Sequence, residues 1–278
     1  MTASTTALRV HGGPSNPSAH DWAPFSWDEP VHGPQTKGEV CIVRTEGATG
    51  SLQAGFWRTS PTSPGCDADG SCRVVYSAPL GDETVVLLEG SATITVTKTG
   101  KQYRIEPGSI MSHPKGLDIT WEIDGPYLRK FWVIWDSPHV AAPRDDLYIG
   151  NVSDDPPEWE AYRWTEPVEG EQTCGELYMV RPEGATGTLM AGVWRSGIGM
   201  PGCAPDGSAT VPYTAPLGDE TMLLLEGQVH VRNEETGEEY DFRAGDVIGL
   251  SSGLRQTWTS KGPFVKKFWV ITNENLPV

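Results

Sequence analysis

The chain repeats itself once along its length, and no other feature constrains its fold as strongly. With a shift of 137 residues, segment 38–134 aligns with 175–271 without a gap, and 48 of the 97 pairs are identical. Each copy forms a unit of about 115 residues, too long for a solenoid repeat and typical of a complete small domain. We therefore predict two tandem domains. The expected boundaries are 1–20 for an N-terminal arm, 21–135 for domain 1, 136–157 for a linker and 158–278 for domain 2.

Local patterns within each copy indicate β-strands. The segments VVLLEGSATITV, from Val85, and MLLLEGQVHVR, from Met222, are short apolar or alternating runs interrupted by Glu-Gly. This is the pattern of two strands joined by a tight turn. Turns containing Gly and Pro recur along both copies without helical periodicity, which favours an antiparallel sandwich or barrel. We therefore predict an all-β chain.

Four motifs that occur in the same order in both copies resemble those of the cupin superfamily. In the first copy they are a Trp-to-Pro-Gly stretch, a Glu-to-Leu-Glu-Gly turn, a Gly-to-Thr-Trp segment and a closing Arg-Lys-Phe-Trp-Val-Ile strand, at 57–65, 83–90, 116–121 and 129–134. The chain most resembles the cupin subfamily that includes the ethanolamine-utilisation cupin. The resemblance implies a bicupin, with two tandem jelly-roll (double-stranded β-helix) barrels. A fold says little about function, which has to be argued from the site.

The resemblance also implies where a metal would bind, and most of those positions hold other residues. Metal-binding cupins hold Mn, Fe, Ni or Zn with imidazoles and one carboxylate. Glu83 and Glu220 fill the carboxylate position. The expected histidines are replaced by 76–79 and Ile119 in the first copy and by 213–216 and Gln256 in the second. None of the six histidines lies within four residues of another, and we expect His113 on the surface. We therefore predict no metal and no cofactor.

A counter-charge is expected for each of these glutamates. A carboxylate inside an aromatic-lined barrel is unfavourable without one. The last strand of each copy offers an ammonium group, Lys130 for Glu83 and Lys267 for Glu220. The alternative, that the lysines face solvent or cap the barrel end, stays open because side-chain direction cannot be compared across separate strands. With a tyrosine hydroxyl near each pair, the predicted catalytic residues are Glu83, Glu220, Tyr76, Tyr213, Lys130 and Lys267.

Four tryptophans and one amide complete the predicted site. Concave pockets with apolar walls and a few convergent polar groups are the usual anatomy of small-ligand sites. The predicted substrate-binding residues are Trp57, Trp121, Trp194, Trp258 and Gln256. Indoles also pack in cores, and that alternative stays open. The copies differ at several pocket positions, His113 against Leu250 among them, so one barrel is expected to bind and the other to support it. The sequence does not say which.

The acidic composition excludes several classes of partner. Thirty-seven Asp and Glu against 21 Lys and Arg give a formal charge of −16, which repels phosphate backbones and anionic membrane surfaces. The apolar runs are far shorter than the roughly 20 residues of a membrane helix. We expect a small-molecule ligand, no nucleic acid and no membrane, and a homodimer stays open.

The N-terminus and the cysteines indicate a cytoplasmic protein. The first residues have neither the basic start nor the continuous apolar core of a secretory signal. Five cysteines are an odd number and fit reduced thiols better than a disulfide framework. Cys66 and Cys72 are close enough in sequence to pair if oxidised, but we expect free thiols.

Two functions from different classes remain open. The first is a metal-independent enzyme acting on a small polar metabolite, with Glu83 or Glu220 as general acid/base. Isomerisation, epimerisation, lyase chemistry and hydrolysis are all accessible to such a site. The second is a non-catalytic sensor or structural bicupin.

Overall fold

The computed structural model describes residues 10–14, 17–18, 21–48, 50–137, 145–156, 158–182 and 188–274. Within these ranges the chain forms twenty β-strands and no α-helix, and hence no helix long and apolar enough to cross a membrane. The all-β prediction is confirmed.

The strand bounds follow the repeat. The first half contains β1 (Val10–Pro14), β2 (Ala23–Glu29), β3 (Gly33–Arg44), β4 (Ser51–Thr59), β5 (Cys72–Tyr76), β6 (Asp82–Glu89), β7 (Ala92–Val96), β8 (Gln102–Ile105), β9 (Ser109–His113), β10 (Ile119–Ile123) and β11 (Leu128–Asp136). The second half contains β12 (Tyr148–Asn151), β13 (Glu160–Glu166), β14 (Gly170–Arg181), β15 (Thr188–Gly197), β16 (Ala209–Tyr213), β17 (Asp219–Asn233), β18 (Glu239–Arg243), β19 (Asp246–Leu250) and β20 (Gln256–Asn273).

Each repeat folds into two facing antiparallel layers. In the first, which we call barrel 1, one sheet has the order β12-β9-β6-β11-β4-β3-β2 and the other the order β5-β10-β7-β8. In the second, called barrel 2, the main order is β1-β19-β17-β20-β15-β14-β13, with β16 on β20 and β18 on β17. The long strands β17 and β20 each continue from one layer into the other and so join the two layers into one sheet. This is the tandem jelly-roll architecture that the resemblance implies.

Strand alternation separates three apolar clusters. In β6, Glu83, Val85 and Leu87 face the interior of barrel 1, because alternate residues of a strand point to opposite faces. Val86 faces the other way, into a cluster shared by both barrels. The rings of Phe131 and Phe268 lie 6.3 Å apart there. The two barrels therefore share a core between them as well as having one each.

The barrels also exchange a strand. β1 precedes barrel 1 in sequence but pairs with β19 of barrel 2, with Val10 opposite Leu250. β12 precedes barrel 2 but pairs with β9 of barrel 1, with Tyr148 opposite Ser112. The segments that we predicted as an arm and a linker thus each contribute a strand to the neighbouring sheet.

Two buried arginines complete the exchange. Arg44, at the end of β3, lies 3.4 Å from Asp219 of barrel 2 and donates to the Glu220 carbonyl at 2.8 Å. Arg181, at the end of β14, lies 3.2 Å from Asp82 of barrel 1. All four of these Arg and Asp side chains are fully buried. Burial lowers the pKa of Arg44 to about 10, which leaves it charged at neutral pH. Each arginine therefore contacts the strand that carries the other barrel's glutamate.

Candidate functional site

A buried ion pair lies in the interior of barrel 1. Lys130 Nζ donates to Glu83 Oε1 at 2.8 Å, and the two side chains are 10% and 3% exposed. Lys130 is opposite Trp57 in the β4–β11 ladder, so both side chains point inward. The ammonium lies 4.6 Å from the centre of the Trp121 ring and 5.4 Å from that of Trp57. The counter-charge expected from the sequence is in place.

The same pair recurs in barrel 2. Lys267 Nζ donates to Glu220 Oε1 at 2.8 Å. It lies 4.5 Å from the centre of the Trp258 ring and 5.0 Å from that of Trp194. The duplication therefore preserves a carboxylate, an ammonium and two indoles in one arrangement.

The barrels differ at the second carboxylate oxygen. In barrel 2, Tyr213 donates to Glu220 Oε2 at 2.9 Å, and the Tyr162 hydroxyl lies 3.2 Å from that of Tyr213. In barrel 1, the Tyr76 hydroxyl and Glu83 Oε2 are buried and have no hydrogen-bond partner among the described residues. The residue equivalent to Tyr162 is Phe25, which has no hydroxyl. Barrel 2 thus has a closed hydrogen-bonded chain that barrel 1 lacks.

Both tyrosines remain protonated at neutral pH. Burial raises the pKa of Tyr76 well above its usual range, and the Glu83 and Glu29 charges raise it further. Burial likewise raises the pKa of Tyr213, with Glu220 as the next cause. A protonated phenol can donate one hydrogen bond and accept others. The Tyr76 hydroxyl is therefore available as a donor inside barrel 1.

His113 is buried, so its predicted surface position is wrong. It lies opposite Glu83 in the β6–β9 ladder, and its ring centre is 5.6 Å from that of Tyr76. Nε2 bonds the Leu117 carbonyl, which only accepts, so this nitrogen carries the proton. Nδ1 has no partner in the described part of the chain. Burial lowers the pKa of His113, which favours the neutral ring. The Pro-Lys-Gly turn that follows made the position resemble a loop, whereas β9 runs as far as His113.

One cavity in barrel 1 is lined by the catalytic and tryptophan residues that the sequence predicts for this barrel. Its empty volume is about 430 Å³, with the open mouth included. Glu83, Tyr76 and Lys130 all line it, together with Trp57 and Trp121. The remaining lining residues are Phe25, Trp27, Val40, Val74, Trp132 and Ile134.

Two adjoining spaces lie in barrel 2. One, of about 370 Å³, is lined by Glu220, and the other, of about 260 Å³, by Tyr213, with the open mouths included in both volumes. Tyr162 and Lys267 border both spaces. Trp194 also borders both. Glu220 and Tyr213 thus line different spaces, although a hydrogen bond of 2.9 Å joins their side chains.

Gln256 is buried in barrel 2, and its amide oxygen and nitrogen have no hydrogen-bond partner among the described residues. It is 2% exposed and lies between its register partners Tyr213 and Asn233, but it lines neither space of barrel 2. Its prediction followed the position of a metal-binding histidine in related barrels, and the side chain at that position is enclosed by its neighbours here.

The prediction missed residues from β2 and β13. Glu29 is buried and accepts from Trp27 Nε1 at 2.8 Å and from the Ser77 hydroxyl at 2.7 Å. It thereby ties β2 to the residue that follows Tyr76. The Trp-x-Glu-Pro sequence, present in both copies, is the signal that could have identified it. The Phe25/Tyr162 difference could likewise have identified the additional hydroxyl beside Tyr213.

The donor set does not fit a divalent transition metal. Within the described ranges, no three His, Cys, Asp or Glu side chains are close enough to share an ion. Glu83 Oε1 accepts from the Lys130 ammonium group, whose positive charge would repel a metal cation at the same carboxylate. The five cysteines are free thiols.

Both repeats match the family model described as "EutQ-like cupin domain", over residues 67–132 and 206–269. Together with two jelly-roll barrels, these matches define the class of the molecule. The chain belongs to the cupin superfamily and is a bicupin.

Solved bicupin structures share this fold across nearly the whole chain. A DUF861-family protein of unknown function from Pseudomonas syringae is 18% identical, with a TM-score of 0.61 and coverage of 96% of this chain and 100% of its own. A putative glyoxylate-induced protein from Pseudomonas aeruginosa is 14% identical, with a TM-score of 0.56 and coverage of 99% and 94%. Bacillus subtilis oxalate decarboxylase is 12% identical, with a TM-score of 0.54 and coverage of 98% and 79%. Identities this low establish the fold alone. No curated protein sequence matches the chain.

Proposed function

We propose that this chain is a metal-independent bicupin that binds a small polar metabolite in the lumen of barrel 1. One observation supports this proposal above the others. Tyr76 OH and Glu83 Oε2 are buried without a partner in the described part of the chain, and both residues line a single cavity. A buried polar atom left unsatisfied is unfavourable by about 1–3 kcal/mol. A ligand that bonds to both atoms removes that penalty.

Barrel 2 is proposed to support barrel 1. Its equivalent atoms bond to each other through Tyr213 and Glu220, so a ligand would have to break a hydrogen bond that already exists. Arg181 from the same unit contacts Asp82, next to Glu83 in β6. Barrel 2 therefore helps to position the strand that carries the binding carboxylate.

Acid/base catalysis is a second candidate for the same site. Glu83 offers a free acceptor oxygen, and protonated Tyr76 can donate to a developing negative charge. Proton abstraction by the carboxylate, with the phenol stabilising an adjacent oxygen, would begin an isomerisation, an elimination or a hydrolysis. A non-catalytic sensor would use the same two atoms without turnover of the bound compound.

Metabolite retention tests the proposal. Small molecules released from the purified protein by denaturation can be identified by mass spectrometry. We expect a compound that is present with the wild type and with Glu220→Gln and depleted with Glu83→Gln. Conversion of that compound on incubation would distinguish an enzyme from a sensor. Retention that depends on Glu220 and not on Glu83, or no retained compound at all, would contradict the proposal.

A further inference from the structure

The charges around the barrel 1 cavity are already paired. Lys130 bonds to Glu83 and lies over the faces of two indoles. Behind the cavity, Asp82 pairs with Arg181. The oxygens of Glu29 accept from Trp27 and Ser77. Among the described residues that line the cavity, no cation is uncompensated, so none attracts the carboxylate or phosphate of a ligand.

The same arrangement disfavours a cationic ligand. An aromatic cage binds an ammonium through its ring faces, and here Lys130 already occupies the faces of Trp57 and Trp121. A second cation would lie beside the first, in an interior where like charges repel strongly. The cavity therefore disfavours anionic and cationic ligands alike.

The two unsatisfied atoms determine which hydrogen-bonding groups the ligand must carry. Glu83 Oε2 can only accept, so the ligand must donate to it. The Tyr76 hydroxyl is a protonated donor, so the ligand can offer it an acceptor. A single alcohol hydroxyl meets both requirements, as does an amide. A carboxylate would place two acceptors against Glu83 Oε2.

We propose that the ligand of barrel 1 is an uncharged molecule, whose hydroxyl or amide group bridges Glu83 Oε2 and Tyr76 OH and whose apolar body packs against the surrounding tryptophans. This inference rests on the proposed function, since it assigns a ligand class to the same lumen. Aromatic side chains make up much of the cavity lining, Phe25, Trp27 and Trp132 among them, and this suits a small apolar body.

Three probes of matched shape test the ligand class: benzyl alcohol, benzoate and benzylamine. Each is titrated by ligand-observed NMR into the wild-type chain, Tyr76→Phe and the matched control Tyr213→Phe. We expect benzyl alcohol to bind the wild type and Tyr213→Phe at least tenfold more tightly than the charged probes. Tyr76→Phe should weaken its binding by about five- to tenfold, the equivalent of one hydrogen bond.

The outcomes separate the ligand class from the site. If benzoate or benzylamine binds most tightly and Tyr76→Phe weakens it, the uncharged-ligand inference is wrong while the barrel 1 site stands. If Tyr213→Phe weakens binding and Tyr76→Phe does not, the site proposal itself fails. If no probe binds at millimolar concentration, the ligand class is wrong as stated, and metabolite retention by the Glu83→Gln and Glu220→Gln variants still decides the site.

Discussion

Barrel 1 and barrel 2 carry the same buried glutamate, lysine and tyrosine between two tryptophans, yet they differ in the hydrogen bonds of the second carboxylate oxygen. Tyr162 extends a hydrogen-bonded chain through Tyr213 to Glu220 in barrel 2. Phe25 cannot, and the equivalent atoms in barrel 1 have no partner among the described residues. After duplication, the same framework has a tyrosine–glutamate hydrogen bond in barrel 2 and none in barrel 1, and the barrels differ nearby at Phe25/Tyr162 and at His113/Leu250.

The largest effect is expected where the barrels depend on each other. Arg181→Ala would leave the buried Asp82 carboxylate without its counter-charge. Breaking a buried ion pair typically costs about 3–5 kcal/mol of stability. Arg44→Ala should have a similar effect through Asp219. Chemical denaturation measures both. Lys98→Ala, which removes an exposed pair with Asp145, is the control and should change stability by less than about 1 kcal/mol. Arginine variants as mild as this control would show that the two buried ion pairs do not contribute to stability.

The lysines give the next largest effect. Lys130→Met leaves Glu83 without its counter-charge and should destabilise by about 3 kcal/mol, the lower end for buried pairs, since a tenth of the Lys130 side chain is exposed. Lys130→Met combined with Glu83→Gln should recover most of the loss, because no uncompensated charge remains. Thermal and denaturant unfolding of the single and double variants measure this. A double variant as unstable as the single one would rule out the charge explanation.

The aromatic position tests the comparison directly. Tyr162→Phe removes one hydrogen bond from barrel 2 and should cost about 1 kcal/mol. Phe25→Tyr places a hydroxyl at the mouth of barrel 1, where we expect it to bond to Tyr76 and reduce metabolite retention. Unfolding and retention assays on both variants measure these effects. A Phe25→Tyr variant that retains the compound as the wild type does would show that this hydroxyl does not decide which barrel binds.

His113 gives the smallest expected effect, through pH. Burial lowers its pKa below that of the unfolded chain, near 6.5, although Glu83 and Asp82 partly oppose this and Lys130 adds to it. The unfolded state therefore binds the proton first, and stability present above pH 6.5 is lost on acidification. His113→Leu, which introduces the barrel 2 residue, should remove this part of the acid dependence. Denaturation midpoints between about pH 7.5 and 5.5 measure it. An unchanged pH dependence in the variant would assign the effect to other groups.

The repeat and the local strand pattern predicted the fold, and the charge argument offered Lys130 and Lys267 as counter-charges while a solvent-facing position stayed open. A buried carboxylate needs a cation, and each copy has one matched candidate. The side of a strand on which a lone residue lies depends on register, and that explains the error at His113. The strand exchange through β1 and β12 could not be predicted from the sequence either, because short segments outside the repeat units show no preference for one sheet over the other.

A high-resolution crystal structure of the protein as purified tests the central claim most directly. We predict electron density within hydrogen-bonding distance of both Tyr76 OH and Glu83 Oε2 in barrel 1, from a molecule larger than water, while Tyr213 bonds directly to Glu220 in barrel 2. A direct Tyr76–Glu83 hydrogen bond, with the barrel 1 lumen closed in the manner of barrel 2, would contradict the account.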